Sequence, residues 1–466
     1  MYEWGIEQAI VWTPAGAQRQ NVYVDKGKIV EITGALRPCR VRVDGQGKDL
    51  LPGMIDVHVH SRDPGLTEEE DWAHSTMAAA MGGITTILEM PNSRPALTNA
   101  AQLRERAGTF QENAWVDFGL WALLSPDMAE SEIVALGSAG AVGFKLFWGY
   151  ALDAATHTLV YDPTRYTAPV IPAPSVGDVL SLLETAQRTS RVVAVHAEDA
   201  SIIRNRQQHS PYEVDSYARL LWEHPDVSEN ATIAVLIELA RASGAAVHIV
   251  HLASSDMLPL IAQARKQGVD ITVETAPHYL LWDADQAASF GAAAKAFPPI
   301  REARHRDGLR EGIAAGLIDM VGSDHAPHDP ARKSRSLVEA PAGIPGVQTL
   351  FLSLMHLALE GSLDFARIPE VLAYAPAKRF GLWPRKGAIQ VGADADLVIV
   401  NRRGTTLLTD SNQKTLHPQK PWTGLTLMGQ VEDVYLRGKA LVHGGEFIAQ
   451  DPEGQFLPSH AQPFPA

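Results

Sequence analysis

Four histidines, one aspartate and one lysine carry the chemistry open to this sequence. His58 and His60 stand two apart in GMIDVHVHSRDPG, so in a strand both side chains leave on the same side, as two ligands of one metal ion require. His196 ends the apolar run in VVAVHAED, His251 that in VHIVHLAS, and Asp324 that in VGSDHAPH. A lone histidine in an apolar run is ordinarily a hydrogen-bonded core residue, and His248, three before His251 and so facing away from it, is read that way. That account fails for the set. Independent placement of four histidines and an aspartate at the ends of four different runs would be an accident, whereas a metal site explains them together.

Lys145, inside GFKLFWGY, is the odd member. A charged lysine is costly in a buried strand, so it must be paired, hold a depressed pKa or be modified. A neutral lysine amine can add carbon dioxide to give a carbamate, which converts a cation into a carboxylate-like ligand able to bridge two metals. The other reading is a lysine that pairs with a substrate anion.

The elements that must position these groups recur eight times between about residues 50 and 330. Each unit is a short apolar run with a polar residue at its C-terminal end, followed by an amphipathic stretch. The runs are 54–60, 84–92, 116–124, 141–148, 191–198, 246–253, 270–278 and 318–325, with helical stretches such as 179–187, 231–242 and 257–267 between them. Alternating buried strands and helices predict a parallel sheet, and eight repeats predict an α/β fold closed as a (β/α)8 TIM barrel over 51–384, whose active site gathers at the C-terminal strand ends. The flanks, 1–50 and 385–445, are glycine-punctuated β segments, neither large enough to fold alone, so both chain ends are expected to meet in one small β-sandwich domain. The tail, 446–466, is rich in proline and polar residues and is expected to lie extended over the surface or on a neighbouring subunit. Two long connections, 151–177 and 329–346, have the length of lids or binding loops. The basic Arg332, Lys333 and Arg335 in the second are read as solvated charges on a mobile loop.

Composition bounds the rest. The chain has 466 residues, a net charge of −14 and 45% hydrophobic residues, an ordinary globular balance that argues against nucleic acid or an anionic membrane as the main partner. A single cysteine, Cys39, excludes a disulfide framework and cysteine-ligated metal. No apolar run approaches a membrane span and the acidic start does not read as a signal peptide, so a cytoplasmic location is the default.

With these motifs in place, the chain resembles the binuclear amidohydrolase superfamily. Within it, LPGMIDVHVHSRDPG, GGITTILEMPNSRP, GFKLFW, VHAED, VHLAS, TAPHYL, PPIR, SDHAPH and GADADLVIV are similar to the cyclic amidases: dihydroorotases, allantoinases and hydantoinases. The resemblance implies one metal held by His58, His60 and Asp324 and a second by His196 and His251, with carboxylated Lys145 and a hydroxide bridging two zinc ions. It also implies a small cyclic amide or ureide as substrate, with Asp324 as general base and acid, and a homodimer or homotetramer.

Which ring is opened turns on a second group of residues. Arg62, two beyond His60, and Asn92 match elements that bind the substrate carboxylate in dihydroorotases, and a bidentate guanidinium suits that task. The alternative for Arg62 is a salt bridge to Asp63 or Glu68. His278, His328 and the loop residues Ala342 and Gly343 resemble groups that reach the ring in the same enzymes. Two departures point elsewhere: Phe297 stands where dihydroorotases carry an asparagine, and Tyr150 lies where a hydantoinase tyrosine assists the oxyanion. The expectation is therefore dihydroorotase-type substrate handling, with allantoinase or hydantoinase activity as the alternative. A mononuclear deacetylase, which would leave Lys145 without a task, and a metal-free, non-catalytic scaffold on the same barrel are the other readings.

Overall fold

The computed structural model describes residues 1–163 and 166–459. The eight apolar runs form eight parallel strands: Met54–Val59, Ile84–Glu89, Asp117–Leu123, Gly143–Phe147, Val192–His196, Val247–Ile249, Ile271–Thr275 and Met320–Val321. The barrel closes where His325, just past the eighth strand, pairs with Val59 of the first. The His60 N–H donates to the His325 carbonyl there at 2.8 Å. Each strand is followed by an outer helix. Several begin on side-chain caps, such as Asp71 accepting from the His74 amide and the Ser175–Asp178 capping box.

Phase along the first strand decides what faces inward. Ile55 and Val57 pack with Leu88, Trp121, Ala194 and Met320 in the inner cluster, but Val59 packs in the outer one. A register slip between Asp56 and Val59 separates the two, and the histidines rather than Val59 turn towards the barrel interior.

Both chain ends contribute to one nine-stranded sheet. Its seam is Asp49–Pro52 running antiparallel to Leu397–Leu407, with Leu50 opposite Ile399. Ile6, Val22, Leu50, Leu397 and Ile399 fill the space beneath it. Lys386 ties this sheet to the barrel, its Nζ lying 2.5 Å from Asp117, 2.9 Å from Asp394 and 2.6 Å from Asp396, all buried.

The C-terminal segment lies on its own chain. The third strand pairs with the fourth only from Trp121 onward, which leaves the other edge of Asp117–Gly119 open. The Phe118 N–H donates to Gln455 and the Leu457 N–H to Phe118, and Arg191 donates two bonds to Ser459. Residues 460–466 of the expected tail lie outside the described residues. Among the described residues no helix is long and apolar enough to cross a membrane.

Candidate metal centre and ring-binding pocket

The predicted ligands converge at the C-terminal mouth of the barrel. His58 Nε2 and His60 Nε2 lie 3.4 and 3.5 Å from Asp324 Oδ1, from opposite sides of the closure between strands one and eight. Across the mouth, His196 Nδ1 and His251 Nε2 lie 2.9 Å apart. The rings of His58 and His251, 5.3 Å between centroids, join the two halves. Lys145 projects from the fourth strand into the same cavity, fully buried, and its Nζ has no hydrogen-bond partner among the described residues. His251 and Asp324 both adopt positive φ, 39° and 47°, and so does Arg62 at 63°. Strain of this kind collects where function fixes a side chain's direction.

Partners behind the ligands decide which ring nitrogen is free. Glu274 Oε1 sits 2.5 Å from His58 Nδ1, and Asn92 Oδ1 2.5 Å from His60 Nδ1. Glu198 Oε2 sits 2.8 Å from His196 Nε2. Each of these oxygens accepts, so the proton lies on the nitrogen facing it and the other nitrogen keeps its lone pair towards the cavity. Burial lowers all four imidazoles, favouring the neutral form that a metal needs. Burial would raise Asp324, yet the neighbouring His60 and His251 imidazoles hold it well below the usual carboxylate range. Burial also pulls the Lys145 ammonium down to about 8, partly opposed by Glu274 and Asp324. A neutral amine is what carbamate formation requires, and an unpartnered amine between two donor groups is where a bridging carboxylate fits.

The residues expected to touch substrate separate into two groups. Arg62, Asn92, Tyr150, Ala342 and Gly343 line the metal cavity together with Phe297 and Tyr161. His278 and His328 do not. His278 is buried in the short helix Pro277–Leu281, beyond the strand run expected to carry it, and burial lowers it to about 4. His328 stands behind the cavity wall, with Nε2 2.8 Å from the Ala342 carbonyl and Nδ1 2.9 Å from Glu69. Neither salt bridge considered for Arg62 forms: its Nε donates to the Pro327 carbonyl at 3.0 Å and its Nη2 lies 3.1 Å from His328 Nε2. Asn92 has its Oδ1 on His60, so it orients a ligand. The Gly343 amide is also taken, donating to the Lys295 carbonyl at 2.8 Å. A Cβ at Gly343 would lie 2.2 Å from the Ala326 carbonyl oxygen, which is why glycine occupies that turn.

Aromatic groups form the outer wall. Phe297 stacks on His224 at 4.1 Å and faces Tyr161 at 5.9 Å. The Tyr150 hydroxyl donates to Glu198 at 3.0 Å, its ring 4.9 Å from His196. Outside this wall opens a cleft of about 670 Å³, bordered by Arg204, Arg219, Lys295, Leu337 and Ala342.

One expectation is overturned. Lys333, read from sequence as a solvated charge, is buried and donates to the Pro341 and Gly343 carbonyls, and Arg332 pairs with the buried Glu69. Four groups that organise the site were missed altogether: Glu198, His224, Glu274 and Lys295. Glu274, in the apolar run ITVETAP, carried a readable signal, since a carboxylate in a buried strand is as costly as Lys145.

Comparison with known proteins agrees with this geometry. The model of the amidohydrolase family matches residues 50–441. An allantoinase of Deinococcus radiodurans is 33% identical over 458 residues, covering 96% of this chain and 97% of its own. A dihydroorotase of Latilactobacillus sakei is 32% identical over 432 residues, covering 90% and 94%. The solved L-hydantoinase (dihydropyrimidinase) from Arthrobacter aurescens superposes with a TM-score of 0.90 at 29% identity, over 98% of this chain and 99% of that one. Donor set, barrel and relatives coincide: the chain belongs to the amidohydrolase family and is one of its metal-dependent cyclic amidohydrolases.

Proposed function

We propose that this enzyme opens a hydantoin-type ring by hydrolysis of a ring C–N bond, with allantoin, a hydantoin bearing a ureido substituent, as the favoured substrate. The observation that carries the hydrolytic reading is the convergence of four neutral imidazoles, Asp324 and the unpartnered Lys145 on one cavity. His58, His60 and Asp324 would hold one zinc ion, His196 and His251 a second, with the Lys145 carbamate between them. Bound zinc supplies Lewis acidity and makes water acidic enough to be a nucleophile near neutral pH.

The chain's own groups do the rest. Asp324 takes a proton from the attacking water and returns it to the departing ring nitrogen. Phe297 and Tyr161 exclude solvent on one face of the ring, and the Tyr150 ring, its hydroxyl held by Glu198, closes the cavity beside His196. The choice of a five-membered ring is supported by the allantoinase relatives and by the L-hydantoinase fold, since allantoin and hydantoins share that ring. The adjoining cleft has room for a ring substituent.

Arg62 favours a second reading, dihydroorotate. It is half-buried at the cavity wall, with Nε on a carbonyl and Nη2 beside the His328 imidazole rather than on a carboxylate, an environment that suits a substrate carboxylate. The deciding experiment is turnover of allantoin, hydantoin, dihydroorotate and dihydrouracil by protein reconstituted with zinc and bicarbonate. Allantoin with the highest kcat/KM supports the first reading. Dihydroorotate as the only ring opened would replace it with the second.

A further inference from the structure

The wall facing the aromatic residues is a stretch of backbone whose carbonyls are held by two buried lysine amino groups. Lys295 Nζ donates to the Val338 carbonyl at 3.0 Å and the Ala340 carbonyl at 2.7 Å. Lys333 Nζ donates to Pro341 at 3.1 Å and Gly343 at 2.9 Å. The remaining carbonyl of the turn, that of Ala342, lies against His328. Both lysines are about 6% exposed, and neither has a carboxylate within ion-pair distance among the described residues. Burying a lysine without a counter-ion is costly, so the carbonyl contacts must serve something beyond stability.

Their geometry indicates what. The Pro341 carbonyl belongs to the same peptide group as the Ala342 N–H. Pro341 has no N–H of its own, and the Gly343 N–H is committed to Lys295. The Ala342 N–H is thus the one amide of this turn with no acceptor among the described residues, and Ala342 lines the metal cavity. A donor on a carbonyl oxygen polarises its peptide group and strengthens the N–H at the other end.

We propose that Lys333 is a positioning residue for substrate: by holding the Pro341 carbonyl it orients and polarises the Ala342 N–H, which donates to a carbonyl or carboxylate oxygen of the bound ring. The identity of that oxygen rests on the cyclic-ureide reading; the hold on the loop does not. Lys295 acts on carbonyls whose peptide groups end at Glu339 and at the imino nitrogen of Pro341, so it fixes the course of the loop without feeding a donor into the cavity.

The test compares wild type, Lys333→Met and Lys333→Arg in metal-loaded enzyme, by steady-state kinetics on allantoin and dihydroorotate, melting temperature, and hydrogen exchange of segment 336–344. Loss of the bond to the Pro341 carbonyl predicts that Lys333→Met raises KM about fivefold to tenfold. Its kcat should stay within about threefold of wild type. Lys333→Arg should recover most of the KM, and the segment should exchange faster in the Met variant. An unchanged KM, or equal losses in kcat and melting temperature for both variants, would overturn the proposal. If wild type opens neither ring, the cyclic-ureide reading fails separately, and exchange alone decides: unchanged protection in Lys333→Met overturns the hold on the loop.

Discussion

Glu274 on the seventh strand and His58 on the first meet across the barrel interior, Oε1 to Nδ1, at 2.5 Å. The same carboxylate reaches His248 Nε2 at 3.0 Å with its other oxygen, and His248 Nδ1 continues to Thr272 at 2.9 Å. A ligand is thereby braced by a chain of bonds through three strands. Glu274→Gln keeps the volume but cannot accept from both histidines. Zinc affinity should fall about 10- to 100-fold, as for other partners of metal-bound histidine. Titration against a chelating dye measures this, and an unaltered affinity would remove Glu274 from the metal site.

Lys145 offers a sharper test, because its task depends on a modification. Lys145→Ala should lower bound zinc from about two equivalents towards one and abolish measurable turnover, since a two-metal site needs its bridge. The truncation leaves space for a short carboxylic acid, so propionate should restore part of the activity. Metal analysis with and without propionate provides the readout. Full zinc occupancy and normal turnover in the alanine variant would end the carbamate reading.

Arg62 should separate substrates. Arg62→Ala loses charged hydrogen bonds only for a ring that carries a carboxylate, so kcat/KM for dihydroorotate should drop about 10- to 100-fold. The value for unsubstituted hydantoin should move by less than about threefold. Equal losses on both rings would instead mark Arg62 as a prop for His328 and the Pro327 turn.

The Lys386 cluster predicts a pH response of stability. Burial alone would raise Asp394, but Lys386, Lys28 and Arg385 hold it well below the usual range. A carboxylate depressed in the folded state contributes stability that is present above the unfolded pKa of about 4 and lost as pH falls through the lower folded value. Burial works against Lys386 too, yet Asp396, Asp117 and Asp394 raise it, so its contribution is complete below its unfolded pKa of about 10 and is lost only at more alkaline pH. The melting temperature should therefore decline on acidification below about pH 4. Lys386→Met, which leaves buried carboxylates uncompensated, should cost about 3–5 kcal/mol at neutral pH. Denaturant titration across pH 3–8 would expose a cluster without this role as a variant of wild-type stability.

The proposed metal ligands were legible because barrel strands are buried on both faces. They read as apolar runs, and a polar residue at the end of each stands out. The groups behind the ligands were harder to see. Glu198 follows His196 by two and looks like the start of a solvated loop, whereas its carboxylate joins His196, His224 and Tyr150. The basic residues after the eighth strand looked solvated because sequence carries no record of which carbonyls a lysine will find. His278 was displaced for a local reason: the seventh strand ends at Thr275, and Pro277 opens a helical turn. The β segments at the two ends were recognisable as halves of one domain, but their hydrogen bonding as a single sheet depends on a register between Leu50 and Ile399 that no local pattern specifies.

That register bears on how the polypeptide is made. During synthesis the strand Asp49–Pro52 leaves the ribosome long before Leu397–Leu407, the partner that covers one of its edges. Until then an apolar edge stays open to other nascent chains, the kind of edge that invites wrong pairing. The floor of the barrel likewise stays incomplete until Gln455 and Leu457 reach Phe118. A stalled or clipped product that keeps His58, His60, Lys145, His196, His251 and Asp324 but lacks Leu397–Leu407 would leave the strand Asp49–Pro52 without its partner.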